Sequence, residues 1–295
     1  MNSPIASRRT FLFQAALAGA ALPQLARAKV ANHRPFQTSI HWNMLPRNRA
    51  DEDRFALLRE CGFNGVVLPV TDSPGRADQL RKLAEQSNVI IHAVSANGWN
   101  FPLSEPNAAI AASGIARAEA ALHFAASVGA AVLTIIPGRM HAGVGYADAY
   151  HRSQKNLREI LPLARKLKVT IAVEMAMNGL LQTPLEYKRY IDAIGSRYVR
   201  ACVDTGIAVR MGYPADWLTT LDHRVALLQV RDYDLRKSEW RPPGEGDVNW
   251  PKVARALNTI GYDGAATAHF ASGDPGALSA IQQKLSLLLS VESFE

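Results

Sequence analysis

Thr170-Ile171-Ala172-Val173-Glu174, Arg200-Ala201-Cys202-Val203-Asp204, Ala226-Leu227-Leu228-Gln229-Val230 and Ala265-Ala266-Thr267-Ala268-His269 are short apolar runs, each ending at or beside one polar side chain. Near-continuous apolar runs of this length read as strands buried on both faces, as parallel sheets require. Working outward, Phe36 to Trp42, Val66-Val67-Leu68 behind Gly65, Val89 to Val94, and Ala131 to Ile136 stopped by Pro137-Gly138 supply four more. The stretches between them have helical spacing. Phe55 and Leu58 follow Asp51/Asp53, which predicts a capped helix. Ile110 to Ser127 is long and Ala-rich, and Leu157, Ile160, Leu161 and Ala164 recur at three and four. Trp250 to Ile260 has Asn249 as its cap, Pro251 in its first turn and Gly261 at its end, and Leu278 to Leu289 closes the series. Eight strand–helix units in about 260 residues predict an α/β fold of the closed (β/α)8, or TIM, barrel type. No glycine-rich dinucleotide fingerprint follows the first strand, which argues against an open Rossmann sheet.

The composition agrees with one soluble domain. Of 295 residues, 48% are hydrophobic and 20% charged, which excludes extended disorder and a fibrous repeat. Two cysteines, Cys61 and Cys202, far apart in sequence, argue against a disulfide framework and a thiolate zinc site; free, buried thiols are expected. The formal net charge is +7. Residues 1–28 carry Arg8, Arg9 and Arg27 and no acid; without them the chain has 30 basic and 26 acidic residues, a net +4. Basic pairs such as Arg81-Lys82 and Arg165-Lys166 read as solvated helix faces, not as a nucleic-acid surface.

The N-terminus, SRRTFLFQAALAGAALPQLARA, runs from Arg8-Arg9 through an apolar stretch, Phe11 to Leu22, to Ala26-Arg27-Ala28. That order fits a secretory signal with an A-x-A cleavage site, and Ser7-Arg8-Arg9-Thr10-Phe11-Leu12 resembles the twin-arginine export signal. The apolar stretch is short and rich in Ala and Gly for a membrane span. The expectation is a signal over residues 1–28, engagement of the twin-arginine export machinery, no permanent membrane anchor, and a periplasmic barrel domain over 29–295.

In a (β/α)8 barrel, polar residues at the C-terminal ends of strands build the active site. Here those ends are read as His41, His92, Glu174, Asp204, Gln229 and His269. The last four fall on the fifth to eighth strands, so their side chains can meet at the mouth. Two carboxylates, an amide oxygen and an imidazole suit a divalent cation: Mn²⁺, Mg²⁺, Co²⁺ or Zn²⁺. The bland alternatives are a Glu174 paired with a cation inside the barrel and a His269 satisfied in the core. Arg231 shares the inward face with Gln229 and faces either a substrate carboxylate or hydroxyl, or an ion pair with Asp232 or a loop carboxylate. Trp99, in the loop after the third strand, is a candidate apolar wall for a sugar or a packing residue. Arg139, after Pro137-Gly138, is a further candidate to meet an anionic group; His141 and His151 read as surface residues.

Longer motifs carry a resemblance. PPGEGDVNWPKVARALNTIGYDG (Pro242 to Gly264), CGFNGVVL (Cys61 to Leu68), IAVEMAMNG (Ile171 to Gly179), ACVDTG (Ala201 to Gly206) and LLQVRDYD (Leu228 to Asp234) resemble the sugar isomerase/epimerase superfamily of xylose isomerase-like barrels over nearly all of residues 36–290. That superfamily includes hydroxypyruvate isomerase, inosose dehydratase and ketose 3-epimerases. The resemblance implies Glu174 as metal ligand and catalytic base and Asp204 as metal ligand. Gln229 stands where many members have a metal-binding His, as in the hydroxypyruvate isomerase-like branch. Ile207 replaces a substrate-binding His, and His269 replaces the usual second catalytic Glu.

The implied chemistry moves a proton between adjacent carbons of a small sugar or hydroxy-keto acid. A divalent cation stabilises the enediolate while a base removes the proton and an acid returns it. His269 is then a catalytic candidate either as ligand or as proton shuttle, not both at once; His41, His92, Trp99 and Arg231 are the substrate-binding candidates. An epimerase needs two groups on opposite faces, so loss of the second Glu favours an isomerase over an epimerase. A lyase or dehydratase of the same barrel and a non-catalytic carbohydrate-binding barrel stay open, and a homodimer is compatible with either.

Overall fold

The computed structural model describes residues 36–96, 102–140, 142–270 and 274–290. Residues 1–28, with their export reading, and Trp99 and His141 lie outside the described residues. In chain order the elements are β1 (Gln37–His41), α1 (Asp51–Glu60), β2 (Gly65–Pro69), α2 (Arg76–Gln86), β3 (Ile90–Ser95), α3 (Ala108–Val128), β4 (Val132–Ile135), α4 (Tyr146–Leu167), β5 (Thr170–Glu174) and α5 (Pro184–Ile194). There follow β6 (Val199–Asp204), α6 (Thr205–Arg210), α7 (Pro214–Leu221), β7 (Val225–Val230), β8 (Asp232–Asp234), β9 (Glu239–Arg241), α8 (Trp250–Thr259), β10 (Ala265–Ala268) and α9 (Pro275–Leu288). The strand order β1-β10-β7-β6-β5-β4-β3-β2 closes on itself with every neighbour parallel, so the predicted TIM barrel is what the chain forms.

Local chemistry explains the element ends. The Asn107 side chain accepts from the N–H groups of Ala109 and Ile110, Asn249 from Lys252 and Asp274 from Ala277, each satisfying orphan donors of a helix start. One expectation is corrected. Asp51 does not cap α1: Ala50 holds the cap position without a side-chain bond, and Asp51 is inside the first turn, ion-paired with Arg54 and Arg76. Its charge there still suits the helix dipole.

Alternation along the strands separates two apolar layers. The larger core lies between strands and helices, with Ile171, Val173 and Val203 among its buried residues. A smaller cluster of Val67, Ala93, Ala172, Cys202, Leu227 and Ala265 shares strand parity with Glu174, Asp204 and Gln229 and fills the barrel interior beneath them. Cys61 and Cys202 are both free and buried.

β8 and β9 form an antiparallel hairpin that follows β7 at the mouth. Asp232 anchors it. One carboxylate oxygen accepts from the backbone N–H of Tyr233 (2.9 Å) and Val248 (3.0 Å), the other from the Gly244 N–H (3.0 Å) and the Trp250 indole (2.9 Å). Gly246 passes so close that a Cβ there would meet the Asp232 carboxylate and the Tyr233 backbone, the latter at 2.7 Å, so the second glycine of G-x-G-D answers to this crossing.

Candidate active site

Glu174 and Asp204 end their strands, Gln229 is the next-to-last residue of β7, and His269 follows β10 directly. Register brings Asp204 opposite Gln229 and Gln229 opposite Thr267. The four side chains meet at the mouth. Gln229 Nε2 donates to Glu174 Oε1 at 3.4 Å, and its Oε1 lies 3.2 Å from His269 Nδ1. His269 Nδ1 is also 3.7 Å from Asp204 Oδ2. His41, at the end of β1, joins them with its ring centroid 4.3 Å from that of His269.

The environment divides the two carboxylates. Burial pushes the Glu174 carboxyl up, which suits a group that must take a proton. Burial works the same way on Asp204, but the Arg231 guanidinium and the His269 ring outweigh it and hold that carboxyl down to about 2. Asp204 Oδ1 accepts from the Ile207 N–H (2.9 Å), capping α6, and from Arg231 Nε (3.0 Å). Burial, then the neighbouring His269, lowers the His41 imidazole well below its ordinary value.

Two sequence expectations are corrected here. His92 is not at the mouth. Val66 pairs with Ile91 and Val67 with Ala93, so His92 is the extra residue of a β-bulge. Its ring lies against Gly65 at the start of β2, toward the N-terminal end of the barrel, and burial lowers its pKa to about 4. Arg231 pairs neither with Asp232 nor with a loop carboxylate but with Asp204, whose Oδ2 is 2.8 Å from its Nε. Asp232 is spent on the hairpin instead. Arg139 is tied by its backbone to Ser104, and His151 sits on α4.

One residue escaped the sequence reading. Trp240, on β9, lies with its ring 3.6 Å from the Arg231 guanidinium carbon. Tyr233 and Trp240 stand directly opposite each other across a short hairpin, but nothing local says which way that face turns.

The donor set fits a divalent cation in kind: two carboxylates, an amide oxygen and an imidazole. Asp204 Oδ2 is fully buried against Arg231 Nε, and the nearby Ser39 and Thr267 hydroxyls and His41 Nε2 are buried without hydrogen-bond partners. Buried polar atoms ordinarily have a partner in protein, ordered water or an ion. Among the described residues no three His, Cys, Asp or Glu side chains form a cage as they stand, so any ion here depends on the Gln229 amide oxygen as well. Such an ion would draw on Glu174, Asp204, Gln229 and His269.

A family model described as xylose isomerase-like TIM barrel matches residues 55–288. The chain is 23% identical over 238 residues, 76% of its length and 84% of the relative's, to L-ribulose-5-phosphate 3-epimerase UlaE of Escherichia coli. Among solved structures, a D-tagatose 3-epimerase-like protein superposes with a TM-score of 0.76 at 19% identity, covering 87% of this chain and 98% of that one. The IolI protein, solved with a bound zinc atom, also gives 0.76, at 14% identity, covering 88% and 100%. At these identities the structural likeness speaks for the fold.

Proposed function

Since this chain belongs to the xylose isomerase-like TIM barrel family and is similar to a sugar epimerase, we propose that it is a divalent-metal-dependent isomerase of a small sugar or hydroxy-keto acid. The observation that carries this is the meeting of Glu174, Asp204, Gln229 and His269 at the mouth, with His41 Nε2 and the Thr267 hydroxyl buried there without partners. Glu174, Asp204, Gln229 and His269 would hold the cation, which would supply Lewis acidity to the enediolate chemistry. Glu174 removes the proton from one carbon to give the enediolate and returns it to the next, while the hydroxyl proton passes between the two oxygens; its raised pKa favours taking up the proton. Asp204, fixed by Arg231 and the Ile207 N–H, stays ionised and orients the site. Gln229 links Glu174 to His269 and keeps the carboxylate turned inward.

A second reading, an epimerase using Glu174 and His269 as two proton-handling groups, is favoured by the ribulose-5-phosphate 3-epimerase relative. His269 keeps a side-chain exposure of 36%, enough to meet a substrate. The test is elemental analysis followed by solvent-deuterium exchange into a panel of sugars and hydroxy-keto acids, with Glu174→Gln, His269→Ala and Gln229→His variants. Isomerisation labels one of two adjacent carbons without inversion, and epimerisation labels the inverted carbon. Glu174→Gln should lose ~10²–10⁴ in exchange rate, while Gln229→His should keep its metal. A Glu174→Gln variant that keeps its metal and exchanges at the parent rate overturns the assignment.

The Arg8-Arg9 segment supports export of the folded enzyme by the twin-arginine route to the periplasm, with residues 1–28 removed. Intact-mass measurement of the native periplasmic fraction tests this, and a full-length cytoplasmic protein would refute it.

A further inference from the structure

Arg231 is held more tightly than a solvent-facing arginine. Its backbone N–H donates to Thr205 Oγ1 (3.1 Å), and that hydroxyl donates to the Arg231 carbonyl (2.6 Å). Its aliphatic stem runs past Gly206, where a Cβ would stand 3.0 Å from Arg231 Cγ and 2.8 Å from Trp240 Cζ3. The guanidinium then lies between the Asp204 carboxylate and the face of Trp240. Arg210 approaches the same aromatic pair, 4.4 Å from the Tyr233 centroid and 5.6 Å from that of Trp240. The hairpin carrying Trp240 is itself locked by the four bonds to Asp232.

This clamp uses only Nε for Asp204. Among the described residues Nη1 and Nη2 have no hydrogen-bond partner, although the side chain is only 16% exposed. A planar guanidinium fixed in this way presents paired N–H donors that match an oxyanion, and stacking on Trp240 lowers the cost of taking it out of water. The purpose of neutralising Asp204 alone would not require Trp240 or leave the fork of donors free at the mouth.

We propose that Arg231, clamped between Asp204 and Trp240, binds an oxyanion of the substrate, so that this barrel acts on an acid, carrying a carboxylate or phosphate, in preference to a neutral sugar. The proposal rests on the mouth being the substrate site, and it names the substrate class. Trp240 acts as a positioning residue for Arg231. A lysine at 231 would be a point charge able to serve Asp204 or the ligand, not both through one rigid plane.

Calorimetric titration of the purified protein with glycerate, glycerol 3-phosphate and glycerol tests it on one three-carbon frame. At least one of the two anions should bind more than tenfold more tightly than glycerol, and which one does so identifies the oxyanion. Arg231→Met should reduce that affinity by ~10- to 100-fold, to the level of glycerol, and Arg231→Lys should lose most of it. Trp240→Leu keeps the charge and the Asp204 pair and should weaken the anion several-fold without changing glycerol. Circular dichroism melts identify folded variants, and Trp240→Leu decides the matter if Arg231→Met does not fold. Equal binding of all three ligands, no binding of either anion, or an anion preference that survives in folded Arg231→Met and Trp240→Leu overturns the proposal. Because the readout is binding, a protein that holds anions through Arg231 but contains no metal and exchanges no deuterium would refute the isomerase reading alone. A metal-bearing, exchanging enzyme indifferent to ligand charge would refute this inference alone.

Discussion

Replacing His92 by leucine should remove an acid sensitivity that this ring builds into the barrel. His92 Nε2 is buried without a hydrogen-bond partner, and burial lowers the imidazole from 6.5 to about 4. Between those values the unfolded chain binds a proton that the folded chain refuses, so stability is fully present above about pH 6.5 and falls as pH drops toward 4. A difference of about 2.5 units corresponds to about 3 kcal/mol in all, of which about 2 kcal/mol is lost by pH 5. The ring keeps some contact with solvent, so these figures are ceilings. Urea unfolding at pH 7.5 and pH 5 measures the loss for parent and His92→Leu. The parent should lose up to about 2 kcal/mol more than the variant over that interval, with the two similar at pH 7.5. Equal losses would refute the reasoning and mean that the ring takes up its proton in the folded state.

Gly65→Ala should destabilise the protein by ~1–3 kcal/mol, because its Cβ would land on the His92 ring; adding His92→Ala should restore part of the melting temperature, and no recovery would point to the backbone instead. Asp232→Asn should cost about 1–3 kcal/mol for each donor left facing an amide NH2, with the Trp250 indole or the Gly244 N–H unpaired; thermal melts and the Trp250 fluorescence check it, and an unchanged melt would show that the hairpin is held by other contacts.

The sequence alone was enough for the barrel and for most of the mouth. Buried parallel strands are apolar throughout, so Glu174, Asp204 and Gln229 stand out against Thr170-Ile171-Ala172-Val173, Ala201-Cys202-Val203 and Leu227-Leu228, and the helical stretches between them set the crossover pattern. Their role as C-terminal strand-end groups follows from that contrast and from the period of two. His92 interrupts an apolar run in the same way, yet it comes early in β3, with Ala93-Val94-Ser95 still to follow, and a bulge opposite Val66 and Val67 leaves it without a register partner. A bulge is a property of two strands together, and one strand's residues do not encode it. Asp51 looked like a cap by type and position, but it lies inside the first turn, paired with Arg54 of the same helix and with Arg76 from α2. What only the tertiary structure decided is pairing among polar groups: Arg231 with Asp204 instead of its neighbour Asp232, Asp232 with four donors from the hairpin and α8, and Trp240 over the guanidinium. Periodicity tells which side of a strand a residue faces. The partner it meets there is set by strand register and loop closure, which bring residues distant in sequence within a few ångströms of each other.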